Sequence, residues 1–360
     1  MTGSRTRVLV STVATLLAFG AGQAVAGDAA KATVGPHGES ATPSSELKLS
    51  ADELAKLKAG HHTAALLWHT SSDFTNGVTA GARDAFAAMG IEVVATTDAG
   101  FDSAKQMNDV ETITAKKPSV ILALPLDPVG AAAAFRPALA AGAKLVFLSN
   151  VPNGYQAGKD YVSIVTDDLH AMGSQAADAL AGAIGDKGKV GYIFHDAQYY
   201  VTNQRDGAFK STIEDGHKAI TIAQSQGISD PARAEDIAGA MLTKTPDLDG
   251  IYVTWAEPAE GVLAALRARG NTRTKIVTLD LSEPISLDMA KGGNVAAIVA
   301  DATYEVGRAM ATAAGYGLLG KTAPGFVMAP AMTVTKANLA QGYEDSLHRP
   351  APKSVIDVLK

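Results

Sequence analysis

The residues able to do chemistry sit in a repeated place: just after short apolar runs. His69-Thr70-Ser71-Ser72 follows Ala64–Trp68, and Phe74 comes two residues later. Asp127, Ser149-Asn150, His195-Asp196, Trp255-Ala256-Glu257, Asp280 and Asp301 follow later runs in the same way. Each run of four or five apolar residues reads as a buried strand. In an open parallel sheet, ligands bind where loops leave the carboxyl ends of strands. Hydroxyls, amides and carboxylates beside Trp68, Phe74 and Trp255 suit a polyhydroxylated small molecule, with flat faces for C–H surfaces and polar groups for hydroxyls. His69 and His195 are the histidines at strand ends. His195 with Asp196 could form an acid–base couple, but no nucleophile accompanies them, so hydrogen bonding to a ligand or a loop is the reading adopted. His61-His62 precede the first run and read as solvated. Asp167-Asp168 lacks the further spaced carboxylates of a cation site and reads as a helix start or hinge. No metal site and no cofactor is expected. The sequence has no G-x-G-x-x-G opening a helix after a strand, no P-loop and no G-x-S-x-G elbow.

The elements that must position these residues alternate. The expected strands are Ala64–Trp68, Glu92–Ala95, Val120–Leu124, Leu145–Leu148, Val162–Val165, Val190–Phe194, Ile220–Ala223, Ile251–Thr254, Ile276–Leu279 and Ala297–Val299. Between them lie Ala-rich amphipathic stretches such as Asp127–Ala141, Leu169–Ile184 and Pro258–Ala268. Ser72 or Asp73 could cap the helix after the first strand, and Ser50 with Glu53 has capping-box spacing. This alternation predicts an α/β fold of parallel sheets covered on both faces. About ten strands exceed one compact sheet, which favours two lobes. Val120–Leu148 and Ile251–Leu279 echo each other: strand, acid–proline junction (Asp127-Pro128, Glu257-Pro258), helix, glycine, strand.

The 360 residues carry a formal net charge of −6, 47% hydrophobic residues and no cysteine. The acidic balance argues against nucleic acid and anionic membranes as partners. The missing cysteines exclude disulfides, thiol nucleophiles and thiolate metal sites. Arg5 and Arg7, the apolar stretch Val8–Phe19 and Ala24-Val25-Ala26 make residues 1–26 a secretory signal, too short in its apolar part to span a bilayer. Residues 27–59 read as a flexible lead-in and a short helix.

From Thr63 to Thr335 the chain resembles the periplasmic substrate-binding proteins of bacterial ABC sugar importers, of the ribose-binding type. The stretches that carry the resemblance are the first strand–helix unit, Asp98–Met107 (DAGFDSAKQM), Ile121–Asp127 (ILALPLD), Val201–Phe209 (VTNQRDGAF), Asp249–Leu263 (DGIYVTWAEPAEGVL), Lys275–Asp280 (KIVTLD) and Asp288–Val299. The resemblance implies two Rossmann-like lobes joined by three crossovers near Thr166, Asp301 and Met328, with the ligand between them. The lobes would be 60–166 plus 302–328 and 167–301 plus 329–360. It places ligand contacts on Trp68, Ser72, Phe74, Ser149 and Asn150 of the first lobe. In the second they fall on Asn203, Trp255 and Asp280, with Asp301 at a crossover. Phe74 would stack on one ligand face, with Trp255 or Tyr199-Tyr200 opposite.

Asp280 and Asp301 would accept hydrogen bonds, while Ser72, Asn150 and Asn203 fix orientation. Asn150 and Asn203 stand where such binders commonly have arginine, Trp68 stands where a small residue is usual, and Arg205 reads as structural. A cleft stripped of cations favours a small neutral ligand, a pentose or short polyol, with an amine-bearing analogue second. The expected protein is a monomeric, non-enzymatic periplasmic binder that delivers its ligand to an inner-membrane ABC permease. The alternatives are an exported sugar-active enzyme using His195 and Asp196, and a receptor feeding a membrane sensor kinase.

Overall fold

The structure is a computed structural model that describes Met1 and residues 32–360; the expected secretory segment and its cleavage pattern lie outside the described residues. The strands, in chain order, are β1 (Thr42–Pro43), β2 (Thr63–Trp68), β3 (Glu92–Asp98), β4 (Val120–Ala123), β5 (Lys144–Leu148), β6 (Ser163–Asp167), β7 (Gly188–His195), β8 (Ile220–Ile228), β9 (Gly250–Val253), β10 (Lys275–Leu279), β11 (Val295–Asp301), β12 (Phe326–Ala329) and β13 (Ala331–Val334). They form a seven-stranded sheet in the order β1-β12-β6-β5-β4-β2-β3 and a six-stranded sheet in the order β13-β11-β10-β9-β7-β8. Every pairing is parallel except β11 with β13. The chain passes between the sheets three times: after β6, after β11 and between β12 and β13.

Parallel strands need covering on both faces, and each sheet has an apolar cluster on either side. On one side of the first sheet, Leu66 of β2, Leu122 of β4 and Val146 of β5 pack with Val306 and Met310 of the helix Thr303–Leu318. Leu67, Ile121, Phe135, Phe147 and Ile164 form the layer on the other side. In the second lobe Ile193, Ile251, Leu263 and Ile298 pack one face, and Leu180, Val190, Phe209 and Val277 the opposite one.

Local signals act as the sequence indicates. Ser72 caps the helix Asp73–Ala88 in a reciprocal box with Thr75, and Ser50 does the same with Glu53 for Ala51–Ala59. The helix Leu169–Ile184 starts on the Asp168 carboxylate, which accepts from Ala171 N, and stops at left-handed Gly185. The long stretch Asp127–Ala141 is instead two helices, Pro128–Ala134 and Arg136–Ala140, broken at Phe135, where the ring of Pro137 in the next turn interrupts the helical hydrogen bonding.

The lead-in is a second difference. Residues 33–49 have no apolar period and read as flexible, yet they are held by specific contacts. Thr42–Pro43 pairs with Val327–Met328. Thr33 Oγ1 donates to Asp168 Oδ1 at 2.7 Å and accepts from His170 N at 2.8 Å. Tyr200 donates its hydroxyl to the Val34 carbonyl. Polar and backbone bonds do not show in hydropathy, so this segment is invisible to a periodicity reading.

Candidate functional site

A cleft opens between the carboxyl ends of the two sheets. Its lining comes from the loop and helix after β2 (His69, Thr70, Ser72, Phe74) and the loop after β3 (Phe101). Leu124, Ser149 and Asp167 are added at the ends of β4, β5 and β6. The second lobe adds His195 at the end of β7 and, from the following helix, Tyr199, Val201, Thr202 and Arg205. Trp255 and Glu257 follow β9, Asp280 follows β10 and Asp301 ends β11. This is where open α/β sheets bind ligands. The lobes are nearly shut: the enclosed volume is ≈ 60 Å³, against about 300–1,000 Å³ for ordinary ligand clefts. A wider groove of ≈ 340 Å³, lined by Lys144, Asp160 and Thr322, runs past the amino end of β5, the wrong end of the strand for this kind of site.

The floor of the cleft is a guanidinium among carboxylates. Arg205, 5% exposed, donates from Nη1 to Asp280 Oδ1 at 3.1 Å and from Nη2 to the Thr254 carbonyl at 3.2 Å. Its Nη1 lies 3.8 Å from Asp301 Oδ1. Burial works against its charge, but Asp280 and Asp301 outweigh that and hold its pKa up. Asp167 accepts from Ala302 N at 3.1 Å and lies against Asp301. Burial pushes Asp167 up to about 7 and, with Asp280 and Asp167 beside it, pushes Asp301 well above the ordinary range. Carboxyl groups this close disfavour each other's ionisation. Glu257 is pushed up to about 7 by burial and by Asp280.

Beneath this layer, Asp206 accepts from His195 N at 2.8 Å, Tyr252 Oη at 2.7 Å and Thr254 Oγ1 at 3.0 Å. It ties the ends of β7 and β9 to the helix that carries Arg205, and so fixes where His195 and Trp255 stand.

The walls are aromatic. Phe101 of the first lobe stacks on Trp255 of the second, rings 6.2 Å apart and 28° from parallel. The edge of His69 meets Phe101, and the edge of His195 meets Trp255, each at 5.1 Å. Burial brings both imidazoles down to about 4, with Arg205 adding to the effect at His195, so both are neutral at pH 7. His195 Nδ1 bonds Thr202 Oγ1 at 2.8 Å, and Asp196 is exposed, so the two make no acid–base couple.

Three cleft residues that are not glycine have left-handed backbone: Phe101 (φ 60°), Ser149 (φ 55°) and Asp280 (φ 66°). Such strain persists where the surroundings over-determine it, as at binding sites. Five buried polar atoms on the lining also lack partners: His69 Nδ1, Tyr199 Oη, Arg205 Nε, Trp255 Nε1 and Asp301 Oδ2. Leaving each unmade costs about 1–3 kcal/mol.

Of the expected contact residues, the cleft brings together His69, Ser72, Phe74, Trp255, Asp280 and Asp301, with Ser149 beside them. It does not bring the other four. Trp68 is in the core, its indole donating to Thr79 Oγ1 at 2.8 Å, because it precedes His69 on a strand and points to the opposite face. Asn150 is buried with both ends of its amide used: Nδ2 donates to the Pro125 carbonyl, and Oδ1 accepts from Val201 N across the lobes. Tyr200 is turned to Val34. Asn203 is exposed.

Phe101, Asp167 and, as a cleft residue, Arg205 were not expected from the sequence, whereas Glu257 belongs to the strand-end set named there. A signal for Arg205 existed: Tyr199, Thr202 and Arg205 recur every third residue and share one helix face, with Tyr200 on the opposite one.

Comparison with known proteins agrees with this architecture. Residues 64–322 match the periplasmic binding protein domain family. The ribose import binding protein of Salmonella typhimurium is 25% identical over 268 residues, 74% of this chain and 88% of that protein. That of Haemophilus influenzae is 26% identical over 210 residues, 58% and 70% respectively. An ABC transporter solute-binding protein from Agrobacterium vitis, crystallised with α-D-tagatopyranose, superposes with a TM-score of 0.70 at 25% identity, covering 77% of this chain and 96% of that one. A carbohydrate transporter solute-binding protein from Agrobacterium radiobacter, in complex with D-arabinose, shares the fold with a TM-score of 0.71 at 22% identity over 80% and 99%. With two parallel sheets, three crossovers and a cleft at the strand ends, the chain belongs to the periplasmic binding protein domain family.

Proposed function

We propose that the protein is a non-enzymatic periplasmic solute-binding protein that clamps a small hydroxylated molecule, of monosaccharide or polyol size, and presents it to an ABC permease. The observation that carries this reading is the convergence of unpartnered buried polar atoms on one interlobe cleft. A ligand rich in hydroxyls supplies donors and acceptors to Arg205 Nε, Trp255 Nε1, His69 Nδ1 and Asp301 Oδ2 at once. The relatives support the solute class, since the solved neighbours hold tagatose and arabinose.

We take the lobes as residues 60–166 plus 302–328 and 167–301 plus 329–360, with residues 1–26 as the export signal. The carboxylate excess works against sugar acids and sugar phosphates. Closure then couples occupancy to shape: a ligand touching both lobes selects the closed form. The test is a thermal-shift screen of pentoses, hexoses, tetritols and pentitols on the mature protein, followed by small-angle scattering with each hit. Several degrees of stabilisation and a smaller or equal radius are expected. Turnover of a bound sugar, or binding with no stabilisation of the folded protein, overturns the reading.

A further inference from the structure

The charges of the cleft do not balance. Asp167, Glu257, Asp280 and Asp301 line it, and Arg205 is the one cation among its lining residues. The two imidazoles contribute nothing, being neutral. Asp280 takes the guanidinium at 3.1 Å, and Asp301 meets it only at 3.8 Å. Among the described residues no N–H or hydroxyl reaches Asp301 Oδ2; its close neighbours are the carboxyl groups of Asp280 and Asp167. The rim does not relieve the excess. There Glu260 accepts from Ser282, Asp73 pairs with Arg349, and both carboxylates add to the repulsion felt by Glu257. Asp98 and Asp196 are the further charged groups felt by His69 and His195, and both are negative.

Buried charges in folded proteins are paired. Closing a dry cleft on unpaired carboxylates strengthens their repulsion. Unliganded, the site answers with protons, which is why Asp167, Asp301 and Glu257 are held up. A ligand bearing its own positive charge replaces those protons. The walls suit it: the ring faces of Phe74, Phe101 and Trp255 attract ammonium groups. Among the described residues no three His, Cys, Asp or Glu side chains are arranged to hold a metal ion, so the fitting cation is organic.

We infer that the ligand is a small hydroxylated amine, an amino or imino sugar or an aminopolyol, with its ammonium between Glu257 and Asp280 under the Phe101–Trp255 pair and its hydroxyls on Arg205, Trp255 Nε1 and Asp301. This rests on the solute-binding reading and reverses the order expected from the sequence, which put a neutral ligand first.

Matched pairs differing only in the amine test it by titration calorimetry at pH 7: 2-amino-1,3-propanediol against glycerol, 1,4-dideoxy-1,4-imino-D-arabinitol against 1,4-anhydro-D-arabinitol, and glucosamine against glucose. In at least one pair the amine is expected to bind ten-fold or more tightly than its partner, with proton release that shows as a buffer-dependent heat. Glu257→Gln should cut that ratio several-fold; the side chain is only half-buried, and a melting curve checks its fold. Equal or tighter binding of the neutral member in every pair overturns the charge inference and leaves the solute-binding reading standing. Absence of binding by both members of all pairs, and by the neutral sugars and polyols of the thermal screen, overturns both.

Discussion

Replacing Arg205 with methionine tests the electrostatic core of the site. Methionine fills much the same space but removes the one lining cation that faces Asp280 and Asp301 and strips the Thr254 carbonyl of its donor. Breaking a buried ion pair by deleting one partner costs about 3–5 kcal/mol. Protonation sets a ceiling for each carboxylate left behind. Forcing a group of unfolded pKa near 3.9 to stay neutral costs about 1.36 kcal/mol per pH unit above that value, so about 4 kcal/mol at pH 7 and about 1.5 kcal/mol at pH 5.

The sign follows. In the variant an abandoned carboxyl holds its proton more tightly folded than unfolded. Its contribution is therefore fully present below the unfolded pKa and is lost as pH rises. The stability gap to wild type should widen from pH 5 to pH 7 by about 2.5 kcal/mol. At roughly 2–4 °C per kcal/mol, calorimetric melting of the ligand-free protein should show a drop of about 8–16 °C at pH 7 and about 3–6 °C at pH 5. Arg205→Lys, which keeps the charge and loses the fork, should fall less and with little pH dependence. An equal drop at both pH values would mean that Arg205 acts through packing alone, and no drop would mean that it neutralises nothing.

Two further outcomes follow from the contacts between elements. Phe101→Ala removes the ring that bridges the lobes at 6.2 Å from Trp255. Without ligand, the radius of gyration should increase and the emission of Trp255 should shift to the red, while core-bound Trp68 stays constant; an unchanged radius would show that this pair does not hold the cleft shut. Thr33→Val keeps the shape of the side chain but loses its bonds to Asp168 and His170. A loss of about 1 kcal/mol is expected, with faster proteolysis within residues 34–42; wild-type cleavage rates would contradict the anchoring of the lead-in.

How far the sequence reveals this site depends on what kind of force places each residue. Hydrophobic period and capping chemistry are local, so the ten internal strands, the Ser50 and Ser72 caps and the helix Leu169–Ile184 are legible. β1, β12 and β13 are two to four residues long and gain their order from partners far away: β1 on β12, β12 on β6, β13 on β11. No local pattern announces them. Among the site residues the failures have distinct causes. Trp68 and His69 cannot both face the cleft, because a strand alternates its faces; the alternation was legible, and only one of the two could be right.

Glu257 and Asp127 share a sequence likeness but differ in role. Asp127 and Glu257 both precede a helix proline, but Asp127 spends its carboxylate on Val129 N and Gly130 N of its own helix. The helix after β9 begins two residues earlier relative to its proline, at Ala256 with Trp255 as the preceding residue, so Glu257 lies inside the first turn and lines the cleft. Phe101 was hidden because its place depends on a left-handed backbone that its residue type does not suggest.

The two lobes contribute unequally, and the inequality bears on mechanism. Ser149 and Asp280 occupy matching positions after β5 and β10, both left-handed. One is a hydroxyl held by Thr166 at 2.8 Å; the other is a carboxylate held by Arg205. The pattern extends to the whole lining. Asp167 ends β6 at the crossover between the lobes; every other charged residue of the cleft comes from the second lobe, while the first supplies His69, Thr70, Ser72, Phe74, Phe101, Leu124 and Ser149. In an open protein the charged face is therefore solvated and available for encounter. Closing the first lobe over it removes that water and adds no cation to the lining. The cost of burying the carboxylates thus falls on the closing step and not on first contact. A ligand that neutralises them lowers that cost, whereas one that merely fits the walls does not.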